Sequence, residues 1–156
     1  MIRLIKPIKG TPKISVDYQP RLEYAAAETK TYIKDQFIVS VYDHDNYDSL
    51  YLYSNLNPKA ILSGAFMALK ETAFFSISYN EKLTLPSLDQ CLLDFERTKV
   101  YWLNWCDKTP HYNNYNAVIH RSAMTLKLLS FDKTGAILAA ATTSLPESIG
   151  EVRNWD

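Results

Sequence analysis

The sequence predicts a chain that is mainly β and then α, an antiparallel β-sandwich layer followed by helices, on three observations. Residues 1–86 alternate apolar and polar positions with a period of two, and turn formers break the pattern at short intervals. After Pro86 the apolar spacing changes to steps of three and four residues. A second stretch of helical spacing then follows a loop rich in Asp, Pro and Asn, from Asp107 to Asn114.

In the β half, Ile14, Val16 and Tyr18 alternate with Lys13, Ser15 and Asp17 until Pro20 interrupts, which predicts a half-buried strand. Phe37, Val39 and Val41 alternate with Ile38, Ser40 and Tyr42 and predict another. Asn57-Pro58 and Ser63-Gly64 mark a break. Beyond it, Phe75, Ile77 and Tyr79 face one way and Phe74, Ser76 and Ser78 the other. Strands with one apolar face need a second layer, so a sandwich is the expected architecture.

Ser87 with Gln90 three residues on forms a capping-box signature, and Leu88, Leu92, Phe95, Lys99, Trp102 and Cys106 recur at helical intervals. This predicts a helix of about five turns, with the Lys99 stem lying along apolar surface. Tyr115, Val118, Ser122, Leu126 and Leu129, flanked by Ile119 and Ala123, mark a second helical face. The run Ala136-Ile-Leu-Ala-Ala-Ala141 is apolar throughout and needs cover on both sides, which one helix does not supply. Cover is therefore expected from the remainder of a larger domain or from self-association.

At 156 residues, with 47% apolar and 22% charged, the chain is long enough for a sizeable core. Its 17 basic groups match 17 acidic ones, so no polyanion-binding surface and no nucleic-acid partner is expected. No stretch reaches the roughly 18 apolar residues of a membrane span, and the first residues lack the apolar run of a secretory signal. Cys91 and Cys106 on one helix lie roughly 22 Å apart at about 1.5 Å per residue, too far for a disulfide. Two free thiols point to a reducing compartment, and the chain reads as cytoplasmic.

The candidate chemistry is sparse. Asp43-His-Asp-Asn-Tyr-Asp48 opens like a calcium loop, but Asp48 occupies the position that needs Gly and Ser54 the position of the closing Glu. A β-turn is the better reading, and no metal is expected. His44, His111 and His120 have neither zinc spacing nor a serine in reach, because Ser122 points about 200° away from His120 on a helix. Cys91 and Cys106 lack an adjacent basic cluster to activate a thiol. Ser63-Gly-Ala and Thr134-Gly-Ala are lone glycines without a phosphate-loop pattern, so no nucleotide cofactor is implied. Trp102 and Trp105 lie on adjoining faces and could form a sugar-stacking platform, although an aromatic stripe at helical spacing is more often core. No pair of carboxylates stands out as an acid and a base.

Three segments, Tyr115 to Leu129, Lys133 to Glu147 and Val152-Arg-Asn-Trp-Asp156, together resemble the opening of the catalytic domain in bacterial members of glycoside hydrolase family 15, the glucoamylase and trehalase group. Thr98-Lys-Val-Tyr-Trp-Leu-Asn-Trp105 is similar to the end of their linker helix, and Tyr18-Gln-Pro-Arg-Leu-Glu-Tyr24 to a strand of their N-terminal sandwich. Agreement is best over residues 98–156. Two positions depart from the pattern: Ala141 stands where members carry Pro, and Glu151 where they carry a second Gly.

The resemblance implies part of a β-sandwich over 1–86, a helical linker over 87–112, and over 113–156 the first helix of an incomplete α/α barrel. It implies inverting hydrolysis of α-glucosidic bonds by two carboxylates held roughly 6.5–9.5 Å apart, both lying beyond Asp156. On this reading the chain is an inactive N-terminal part, an α-glucoside or oligosaccharide binds only to the complete enzyme, and no catalytic residue is present. Arg153, Asn154, Trp155 and Asp156 are expected near the sugar without transferring protons. The alternative is a stand-alone β-sandwich module that binds carbohydrate or protein.

Overall fold

The computed structural model describes residues 1–25, 28–42, 48–138, 148 and 150, and these form mainly antiparallel β structure followed by helices. The strands are β1 (Ile2–Ile5), β2 (Lys13–Ile14), β3 (Lys30–Lys34), β4 (Phe37–Tyr42), β5 (Asp48–Ser54), β6 (Met67–Ala68) and β7 (Ala73–Tyr79). The helices are α1 (Pro58–Ser63), α2 (Leu88–Asp107) and α3 (Asn116–Leu128), and a 3₁₀ turn spans Glu23–Ala25. Two compact units result, residues 1–98 and 99–156.

In the first unit, five strands pair in the order β1-β7-β5-β4-β3, every pairing antiparallel, and β2 with β6 makes a separate two-stranded sheet. The register carries the alternation of the sequence through to the sheet: Val39 lies opposite Tyr51 and Tyr53 opposite Ser76, while Ile38 lies opposite Leu52 and Leu52 opposite Ile77. Successive residues thus fall on opposite faces. On one face Phe37, Val39, Val41, Tyr53 and Phe74 pack together beneath Leu83, Leu88 and Cys91. On the other, Ile38, Leu52 and Phe75 pack with Ile61 of α1, Met67 of β6, Val16 and Tyr18.

Two layers of cover explain why β4 is buried at all six positions, where the sequence suggested a half-buried strand. Ser40 is fully enclosed, and its hydroxyl meets those of Thr31 at 2.9 Å and Tyr18 at 3.3 Å, which satisfies the polar group inside the core. Burial pushes the Tyr18 phenol up from its usual value, and the Ser40 contact partly offsets this. Tyr53, 1% exposed, sets its ring 5.1 Å from that of Phe37 and donates from its hydroxyl to the Leu83 carbonyl at 3.3 Å. The same hydroxyl accepts from the Leu83 amide at 2.9 Å, tying the segment before α2 to the sheet.

Three local expectations change. The alternation over 13–18 yields strand only at Lys13–Ile14, and Val16 and Tyr18 serve instead as side-chain cover for the main sheet. The stretch 18–24, similar to a sandwich strand, runs without strand pairing into the 3₁₀ turn. The break between Asn57 and Gly64 is a helix: Asn57 caps it by accepting from the Lys59 amide, Pro58 opens it, and Gly64 closes it at φ 65°.

α2 begins as its capping box predicts, with the Gln90 amide donating to Ser87 Oγ at 3.1 Å. The face that packs is shifted, however. Cys91 is the buried residue of α2, one turn after Leu88, whereas Leu92 and Phe95 are exposed. Periodicity finds the helix, but the angle at which it meets the sheet selects the face. The two cysteines are free thiols.

The second unit holds the end of α2, the loop after it, and α3. Asn116 clamps this loop from inside α3, accepting from the Tyr112 amide at 2.8 Å and donating to the Tyr112 carbonyl. After α3 the chain reverses through Gly135, φ 73°, with the Phe131 amide donating to the Ala136 carbonyl at 2.7 Å and an antiparallel bridge between Ser130 and Ile137. No residue of α3 is buried. The apolar run that starts at Ala136 is described only through Leu138.

Candidate functional site

The near-site residues suggested by the resemblance, Arg153, Asn154, Trp155 and Asp156, lie outside the described residues. So do Ala141, Glu151 and residues 43–47 of the calcium-like stretch. Asp48, the last residue of that stretch, is described and opens β5. Its Oδ1 accepts from Tyr79 Oη at 2.6 Å and from Asn80 Nδ2 at 2.8 Å. Both donors come from the end of β7, which the register sets beside the start of β5 through Leu50 opposite Tyr79.

Asn80 in turn accepts from the Ser49 amide at 2.7 Å, holding its amide group in place at a backbone φ of 54°. Glu23, from the 3₁₀ turn, and Asp48 shift each other's acidity. The two carboxyl groups are pushed apart in acidity. The hydrogen bonds from Tyr79, Asn80 and Glu23 hold Asp48 below its usual value against burial. The bond to Asp48, burial and the charge of Asp48 raise Glu23.

The sequence did not reveal this cluster, because its members are scattered along the chain and only strand register and the 3₁₀ turn bring them together. No local signal marks it.

In the second unit, Trp102 meets Tyr101 edge to face at 5.5 Å and Trp105 at 6.1 Å. Both Trp rings are half-buried, so mutual packing uses much of the surface that a stacking platform would need. His111 stands edge to face with His120 at 5.2 Å, and His120 Nε2 is buried without a hydrogen-bond partner among the described residues. Among those residues no group of three ligating side chains could hold a metal ion. Cys91 is 1% exposed, and burial, with the Asp94 charge second, raises its thiol above the usual value. It is a packing group rather than a nucleophile.

A groove of about 630 Å³ in the first unit passes Ser76, Ser78, Thr84, Ser87, Gln90 and Asp94. Several of its polar groups are already engaged. Ser87 caps α2, and Gln90 Nε2 donates to Asp94 Oδ1 at 3.0 Å. Among the described residues no helix is long and apolar enough to cross a membrane.

No protein-family model matches the chain. No solved structure matches it. Over 156 residues, 99% of the chain, it is 27% identical to a protein of Thermoplasma acidophilum named Trehalase. It is 28% identical over 159 residues to a Trehalase of Thermoplasma volcanium, and 26% identical over 167 residues, the whole chain, to a Trehalase of Mycobacterium tuberculosis. The aligned part is 27%, 25% and 24% of those relatives, so the chain spans about a quarter of the length of the curated relatives it matches. Similarity to proteins named Trehalase thus runs from one end of the chain to the other and supports a trehalase-like glycosidase family.

Proposed function

We propose that the chain is the N-terminal part of a trehalase-like, inverting glycoside hydrolase of family 15 acting on an α-glucoside such as trehalose, and that these residues alone do not turn it over. The observation that carries this reading is similarity over 99–100% of the chain to proteins named Trehalase that are about four times as long. The resemblance over residues 98–156 agrees with it. In this assignment residues 1–86 are part of a β-sandwich, 87–112 a linker, and 113–156 the start of an α/α barrel. Arg153, Asn154, Trp155 and Asp156 then stand at the rim of the sugar pocket, while the acid and the base come from a later part of the barrel. Free thiols at Cys91 and Cys106 suit a cytoplasmic setting.

The exposed apolar residues of the second unit support the same reading. Val118, Leu126 and Leu128 on α3 are 64%, 54% and 71% exposed, as expected of a helix whose cover lies in further hairpins or in a second copy. The test is an assay of the purified 156-residue chain against trehalose, maltose and maltooligosaccharides, with a buffer control. No turnover is expected, and turnover of any of them would overturn the assignment of catalysis to later residues. Titration calorimetry with the same sugars separates this reading from a stand-alone carbohydrate-binding module, which would give saturable heat.

A further inference from the structure

On the face of the main sheet that packs α1, a cavity of about 270 Å³ lies between β1 and residues 15–18. Strand register builds its floor. Arg3 of β1 lies opposite Phe75 of β7, and Leu52 of β5 opposite Ile77 of β7, so these four side chains share one face. Pairing of the 13–18 stretch stops at Ile14, and Val16 and Tyr18 cover the sheet as side chains rather than as a strand. The cavity is the space that remains between them and β1.

Its walls are mainly apolar, and one charge of each sign lines it. Ile5, Val16 and Ile77 are half-buried and so still have apolar area to withdraw from water. Arg3 and Asp17 both line the cavity without pairing with each other. Among the described residues Arg3 makes no hydrogen bond or ion pair. Asp17 Oδ1 accepts from Gln19 Nε2 at 2.8 Å, and its Oδ2 has no partner among those residues. Two other polar groups at the cavity are already engaged. The Tyr18 hydroxyl meets Ser40 Oγ at 3.3 Å inside the core, and the Met1 amino group donates to the Ile77 carbonyl at 2.7 Å.

An occupant has to suit both charges and the apolar walls together. A plain anion would meet Arg3 but face Asp17, and a plain cation would do the reverse. A sugar needs a flat ring face to stack on, and Phe75, the ring of the floor, is 7% exposed. The volume falls just below the roughly 300–1,000 Å³ of sites for drug-sized ligands, so the occupant is small. We infer that this cavity binds a small zwitterion with an apolar side chain, of the chemistry of a free aliphatic amino acid. The carboxylate meets Arg3, the ammonium meets Asp17, and the side chain lies against Ile5, Val16 and Ile77. Arginine suits the carboxylate because its planar fork offers two parallel N–H donors. The site is independent of the trehalase-like reading, since it uses no residue beyond Ile77.

The experiment is a methyl-detected NMR titration of the whole chain at neutral pH with three compounds: L-leucine, N-acetyl-leucine, which lacks the ammonium, and leucinamide, which lacks the carboxylate. Leucine is expected to shift the methyls of Ile5, Val16 and Ile77 saturably, with half-saturation at about millimolar concentration. Each analogue should bind about tenfold more weakly, the modest effect of a charge at a solvent-exposed rim. Arg3→Gln should erase the difference between leucine and leucinamide while keeping that between leucine and N-acetyl-leucine, and Asp17→Asn should do the reverse. Both residues are exposed, so neither substitution removes a buried contact. Absence of a saturable shift with leucine, equal binding of the three compounds, or saturation of the same methyls by trehalose would each overturn the site. The three titrations of the unsubstituted chain decide the question even if a variant does not fold.

Discussion

The first unit encloses its large side chains between layers, whereas the second leaves its own in solvent: Tyr53 and Ile38 are each 1% exposed, and among the described residues none after Cys91 is buried. Both regions have strong secondary-structure signals. The contrast teaches that helical periodicity and a completed core are separate achievements. Apolar area stabilises only when it leaves water, at roughly 25 cal/mol per Å². β4 and β5 achieve this within the chain, while α3 presents the same kinds of residue with no described layer above them.

Thiol labelling sharpens that contrast most strongly. Cys91 packs into the core of the first unit, and Cys106 is half-buried in the second. At pH 8 Cys106 should be alkylated about a thousandfold faster or more, because Cys91 waits for an opening of its unit and its raised pKa reduces the thiolate. Mass spectrometry of timed samples measures the ratio, and comparable rates would break the comparison.

Truncating Tyr53 to alanine removes a buried ring and should cost about 3–5 kcal/mol in urea unfolding of the first unit. Leu126→Ala on α3 should change stability by no more than about 0.5 kcal/mol. Equal losses would mean that α3 has a core that the exposure of its residues denies. Tyr53→Phe isolates the polar part of the same site. It keeps the ring but strips both Leu83 hydrogen bonds, at an expected cost of about 1–3 kcal/mol. Last in size, Asn57→Ala removes the cap of α1 and should lower stability by about 1 kcal/mol, read from the same unfolding curves.

Much of the architecture could be read from residues alone, and the particular misses are instructive. Alternation located β4 and β7, and the Ser87 and Gln90 pair located the start of α2, because such signals depend on backbone geometry within a few residues. α1 went unread although Asn57, Pro58 and Gly64 are its cap, opener and stop. Six residues are too few for periodicity to register. The packing face of α2 was placed at Leu92 and Phe95 instead of Cys91, since a mixed apolar stripe allows several docking angles and only contact with the sheet chooses one.

The candidate site divides in the same way. The family resemblance was carried by contiguous segments and needed no fold. The carboxyl cluster, by contrast, was invisible, with Asp48 attracting attention only as part of a weak calcium-like motif. Its partners Tyr79 and Asn80 lie at the end of a distant strand.

By itself the sequence determined the order β then α, the faces of the central strands, the two long helices and the likeness to sugar-cleaving enzymes, since each is written within a short window of the chain. Only the tertiary structure decided which faces are covered, which thiol is sealed, and that Tyr79 and Asn80 meet Asp48. Those outcomes depend on strand register and layer packing, which join residues that no local pattern relates.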